Sequence, residues 1–149
     1  MRVRTPLAIL GLAPLLAAPV TAGEPGEQLF VDNCSGCHQL GGVGQPGLAP
    51  PLVDPELWAG LGDKAPNYLV GVLFGGLTGQ ITAQGQVYIG VAMPPQSWMT
   101  DEELQLVADY VLQDLNDLEV AVDPALIETT RAAPPSHADL RETRRSAMP

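Results

Sequence analysis

Apolar positions recur with a helical period most clearly near the middle of the second half of the chain. After Thr100 they fall at 104, 107, 108, 111, 112 and 115, one face of a helix, and Leu106 and Tyr110 widen that face. Thr100-Asp101-Glu102-Glu103 in front of this run reads as a capping box. Thr100 can accept from the Glu103 amide while the Glu103 side chain reaches back. Three acids in the first turn also suit the positive end of the helix dipole, and the helix is expected to stop near Asn116-Asp117. Two shorter helices are predicted, Gly26 to Asn33 running into Cys34, and Asn67 to Phe74 between Pro66 and Gly75-Gly76. Between them, Gly41 to Pro55 holds four Gly and four Pro, which excludes regular structure. A loop of that length in a compact domain usually wraps something functional. Gln80 to Ile89 alternates loosely around Gly85, as a small hairpin or irregular chain would.

The two ends break this pattern. Met1-Arg2-Val3-Arg4 is a basic start, Leu7 to Ala18 is a short apolar run, and Val20-Thr21-Ala22 ends on small residues. That order is the layout of a secretory signal peptide over residues 1–22, cleaved after Ala22. The apolar run is shorter than the ~20 residues a membrane span requires, and no later stretch is long enough. The mature chain is therefore expected in the periplasm, with no membrane span, the alternative being a leader kept uncleaved as an anchor. From Val120 to Pro149, Pro124, Pro134-Pro135, alanines and scattered charge give no period. A mostly disordered tail over 120–149 is expected, with Ala125 to Arg131 briefly helical. One domain, 23–119, remains.

Composition changes the picture in two ways. Aromatic residues make up only 5% of the chain, and much of the domain is Gly/Pro loop. A small domain with so thin a core usually needs a disulfide, a metal or a prosthetic group. The charge is also lopsided: Gly23 to Glu119 carries thirteen Asp/Glu against the single base Lys64, while the tail balances four acids with four Arg. Such a domain does not bind nucleic acid or an anionic membrane by charge; it suits a partner with a basic docking face, and surface acidity equally serves simply to keep a protein soluble.

The chemistry lies in Cys34-Ser35-Gly36-Cys37-His38, a Cys-x-x-Cys-His run. It is the attachment signature of a c-type haem. Two thiols three positions apart on one turn can reach the two porphyrin vinyl groups and form thioethers. The adjacent His38 then lies under the iron as proximal ligand, its other ring nitrogen donating to a backbone carbonyl. A structural zinc site takes four Cys/His ligands, and the whole chain offers two Cys and two His. A thioredoxin-like dithiol would need a βαβ setting, which is missing, and a plain disulfide in an oxidising compartment is the remaining alternative.

The sixth iron position decides between carrier and enzyme. Met93, in Val91-Ala92-Met93-Pro94-Pro95, is the favoured distal ligand, since a thioether there closes the coordination sphere and raises the reduction potential. Two competitors stand beside it. Met99 precedes the N-cap and reads as a hydrophobic staple, and His137 lies in the polar tail, where it is expected to be solvated.

With these residues in place, Gly26 to Glu119 resembles the class I cytochrome c family. Gly26 and Phe30 match its N-terminal helix, Tyr110 its C-terminal helix, and Gly41 to Pro46 with Pro50-Pro51-Leu52 its haem-wrapping loop. Leu73 to Ile81, then Gly85-Gln86-Val87-Tyr88 and Met93-Pro94-Pro95, looks like the monohaem domains found with periplasmic dehydrogenases and oxidoreductases. The resemblance implies an all-α cytochrome c fold, three to four short helices around one covalent haem. It also implies that the carbonyl of Pro50, or else Pro51, accepts the His38 ring proton. Trp58 or Tyr68 is implied either to touch a haem propionate or to pack. The implied function is a single-electron carrier of a respiratory chain, not an enzyme. The alternatives are a subunit held in a dehydrogenase or oxidase complex, and a haem enzyme or gas sensor with an open sixth position.

Overall fold

The computed structural model describes residues 23–148, so the signal peptide expected over 1–22 lies outside the described residues. Helix α1 spans Gly23–Asn33 and runs through Cys34 into the short α2, Ser35–His38. A 3-10 turn at Leu40–Gly42 opens the long loop, which ends at α3, Pro55–Leu61. Asp54 caps α3 by accepting from the Leu57 amide, and Pro55 takes the first helical turn, where a missing N–H costs nothing. Helix α4, Ala65–Gly75, follows. Strands β1 (Ile81–Ala83) and β2 (Gln86–Tyr88) pair antiparallel across a two-residue turn, with Ala83 opposite Gln86.

Helix α5, Asp101–Asp109, begins at the capping box read from the sequence, with both reciprocal bonds present. It continues as a π-helical turn, Tyr110–Asp114, and ends there, Asp117 adopting a positive φ of 53°. Glu103 accepts from the Thr100 amide at 2.8 Å and from its hydroxyl at 2.9 Å, which holds its carboxyl below the ordinary value. A carboxyl depressed on folding contributes stability that is present above its unfolded pKa and lost as pH falls through the folded one. Glu103→Gln should therefore flatten the acid limb of the stability–pH curve below about pH 4.5. An unaltered acid limb in denaturant titrations would show that the cap does not contribute.

The core forms where α1 crosses α5. A Cβ on Gly26 would lie 2.5 Å from the Leu106 carbonyl oxygen and 2.9 Å from Tyr110 Cβ, so glycine permits the crossing. The Phe30 and Tyr110 rings then meet at 5.4 Å between centroids. Helix α4 is buried on nearly every face, only Asn67 being exposed and Gly75 partly so, as expected of a helix apolar all round. Part of its cover comes from an unexpected quarter.

Residues 120–149, expected to be mostly disordered, instead form α6 (Pro124–Ala132) and α7 (His137–Ala147), both packed on α4. Both are capped, by Asp123 accepting from Ala125 and by Ser136 accepting from Asp139. The sequence conceals α7 because the residues it buries are Leu140, Arg144 and Ala147. Their spacing is helical, but an arginine and an alanine do not register as an apolar stripe. Arg131 of α6 lies 4.7 Å over the Phe74 ring and donates to the carbonyls of Ser97 and Met99, both at 2.8 Å. His137 is not solvated either. Its Nε2 donates to the Gly75 carbonyl at 2.9 Å, which leaves Nδ1 to accept from the Thr78 hydroxyl at 2.7 Å.

Candidate haem site

The α1–α2 junction delivers both thiols and the imidazole to one place. The amides of Cys37 and His38 donate to the Cys34 carbonyl at 3.2 and 2.9 Å, fixing the three side chains on a single turn. The two cysteines are not bonded to each other; Cys34 is half-buried and Cys37 exposed.

His38 is buried, and its Nδ1 lies 2.9 Å from the Pro50 carbonyl oxygen. A carbonyl can only accept, so Nδ1 carries the proton and Nε2 keeps its lone pair. Burial holds the imidazole below its ordinary pKa, outweighing the Pro50 bond that acts in the opposite direction. A neutral ring in a fixed tautomer is the form that ligates a metal.

The Pro50 carbonyl is itself held in place. Leu52, two residues on, accepts from Trp58 Nε1 at 2.8 Å and from Asn116 Nδ2 at 2.9 Å. Asn116 Oδ1 accepts in turn from the Asp54 amide at 3.1 Å. Gly44, at φ +72°, packs directly on the Pro50–Pro51 backbone, where any side chain would collide. Trp58 thus spends its only N–H on the loop and cannot donate to a cofactor; Tyr68 stands edge-on to it at 6.3 Å. Asn116 and Asp54 did not emerge from the sequence as parts of the site. Asp54-Pro55 carried the available signal, an N-cap residue followed by proline at N1.

Met93 is held from the other side. Its backbone exchanges two hydrogen bonds with Leu77, 3.0 Å from the Leu77 amide to the Met93 carbonyl and 2.9 Å in reverse. The Gln96 amide, donating to the Leu73 carbonyl at 2.7 Å, ties the following turn to α4. Cys34, Cys37, His38 and Met93 all border one cavity of about 220 Å³, walled mainly by apolar residues such as Leu57, Leu69, Val72 and Ile81. Pro50, Trp58 and Tyr68 border it as well. Met99 does not line this cavity; it is 2% exposed in the core beside α5. His137 has both ring nitrogens engaged elsewhere. Two thiols, a neutral imidazole and a thioether on an apolar cleft are a donor set that fits a c-type haem.

Comparison with known proteins agrees. Two relatives named cytochrome c-552, both from Thermus thermophilus, are 37% identical over 99 residues and 41% identical over 81 residues. The alignments cover 65% and 53% of this chain, and 64% and 60% of the relatives, so the chain spans less than two thirds of their length. The model of the cytochrome c family matches residues 23–114, from the start of α1 to the end of the π-helical turn. Membership implies one covalently bound c-type haem, the group the cavity fits. A match of that extent, laid over residues that fold together around a single cleft, establishes that the chain belongs to the cytochrome c family, as a class I monohaem c-type cytochrome.

Proposed function

We propose that the protein is an exported single-electron carrier, active in the periplasm after removal of residues 1–22, with His38 and Met93 as the axial ligands of its haem. The observation that carries this reading is the shared cavity, bordered at once by Cys34, Cys37, His38 and Met93. When bound, the haem supplies a one-electron ferric–ferrous couple. The protein supplies everything that makes that couple usable. Cys34 and Cys37 tether the group, and the Pro50 carbonyl keeps the proton on His38 Nδ1 so that Nε2 faces a metal in one orientation. The Leu77 pairing holds Met93 in place, so neither ligand needs to move when the charge changes. The apolar walls exclude water from the site.

Docking rests on two surface properties. The domain carries thirteen acids against Lys64, which favours a partner with a basic face and an encounter steered by charge. Leu48 and Val91 are exposed and also border the cavity, so apolar surface is available where a partner would approach the haem. A transient interface below about 1,200 Å² suits such an exchange. Among the described residues, no helix is long and apolar enough to cross a membrane.

The test is an absorption spectrum of the exported protein, oxidised and reduced, with and without carbon monoxide. The expected result is a low-spin haem with a methionine–iron band in the oxidised state and no response to carbon monoxide. A high-spin spectrum or ready carbon monoxide binding would transfer the protein to the enzyme or sensor class.

A further inference from the structure

Among the described residues, Arg144 is the one charged side chain that borders the haem cavity, and it comes from α7, well beyond residue 114, where the family match ends. It is 5% exposed. On one side the guanidinium is spoken for. Nε and Nη2 donate to the Thr82 carbonyl at 3.2 and 3.1 Å, and Nη2 reaches Asp54 Oδ2 at 3.4 Å. Asp54 is a long and shared partner, because its other carboxylate oxygen caps α3. Nη1, with two N–H donors, bonds to none of the described residues.

A buried guanidinium is costly unless its donors and its charge are both matched. This one meets a single carboxylate at the long end of hydrogen-bonding distance, and Nη1, which is not fully enclosed by protein, keeps two donors available to a ligand beside a cavity that fits a haem. A c-type haem brings two propionate carboxylates with it, and an arginine fork is the side chain best shaped to receive a carboxylate. Tyr68 borders the same cavity, and its hydroxyl also bonds to none of the described residues. Arg144 additionally edges a surface depression between Glu56, Gln80 and Arg141, which is the competing destination for Nη1.

We propose that Arg144 donates through Nη1 to a haem carboxylate, so that the C-terminal helix reaches the cofactor and sets its reduction potential. This rests on the haem-carrier reading above. Arg144 is a positioning residue: it acts on the haem periphery and on Asp54, not on the iron ligands. Its positive charge favours the more electron-rich ferrous state. Without it, the Asp54 carboxylate and the haem carboxylate are left uncompensated.

The test uses the full chain, with covalent haem verified chemically and the methionine–iron band checked in each variant. Arg144→Met should lower the ratio of reduced to oxidised protein at fixed ambient potential about three- to tenfold, the range one charge produces through an effective dielectric of about 20. It should also displace the propionate bending mode in the resonance Raman spectrum. Asp54→Asn should move the ratio the opposite way and leave that mode in place. Arg144→Lys guards against loss of fold in the methionine variant: it keeps the charge and loses the fork, so the ratio should stay near wild type while the mode shifts. A propionate mode unmoved in the lysine and methionine variants, with haem and methionine band intact, would overturn the proposal and assign Nη1 to the outer depression. Absence of covalent haem from the wild-type chain would instead overturn the carrier reading itself.

Discussion

Met93→Ala should open the iron, abolish the methionine–iron band, permit carbon monoxide binding and lower the reduction potential by on the order of a few tenths of a volt. The size follows from chemistry, since axial ligand identity spans roughly 0.8 V among haem proteins and a thioether opposite histidine lies at the high end. The protein should survive the change. Met93 is only partly buried, and the backbone bonds that hold the segment, to Leu77 and from Gln96 to Leu73, do not involve its side chain. The truncation leaves space beside the cavity rather than a collapsed core. The comparison variant is Met99→Ala. Met99 is 2% exposed and packs in the core, so its loss should cost about 2–5 kcal/mol of stability and leave the spectrum alone. If Met93→Ala keeps the band and Met99→Ala loses it, the distal ligand has been misassigned.

How much of this was legible beforehand depends on where the information sits. The α5 cap was readable because Thr100 and Glu103 interact locally, within one turn. The thiols and His38 were readable because covalent attachment forces a fixed spacing on neighbouring residues. The acceptor for His38 lies 12 residues away, and only the family resemblance suggested Pro50, with Pro51 left open; the geometry selects Pro50. Asn116 marks the helix stop in the sequence, and in the fold it also bonds Leu52, 64 positions earlier. No local pattern encodes a contact of that range.

The tail was the largest misreading, and its cause is physical. Helices α6 and α7 bury few apolar residues and attach largely through polar groups on backbone carbonyls. His137, Arg141 and Arg144 follow one another at helical spacing and donate to the carbonyls of Gly75, Thr78 and Thr82. Read linearly, such residues resemble a solvated charged tail. Folded, they form one face gripping the chain between α4 and β1, the chain that pairs with Met93 through Leu77.

That arrangement makes the second large prediction. Deleting residues 120–149 should destabilise the domain by about 4.5–9 kcal/mol, from the burial of Val122, Ile127 and Leu140 at about 1.5–3 kcal/mol each, an upper estimate because unfolded chains already bury some surface. Loss of Arg131 would also uncover the Phe74 ring. The net stability of a small domain is about 5–15 kcal/mol, so the truncated protein should be marginal at room temperature. The failure should not be uniform. The tail does bond α5, through Arg131 on Asp101 and through Val122 on Gln105 and Asp109, and it reaches Asp54 through Arg144, but among the described residues it bonds neither α1 and α2, which carry Cys34, Cys37 and His38, nor Pro50. The Met93 side, by contrast, loses the three side chains that grip residues 75–82. In a denaturant titration the methionine–iron band of the truncated protein should therefore disappear well before the helical signal, while the two transitions coincide in the full chain. An unchanged midpoint with coincident transitions in both would mean that α6 and α7 rest on the domain without holding it, and the grip on the Met93 segment would lose its mechanical role.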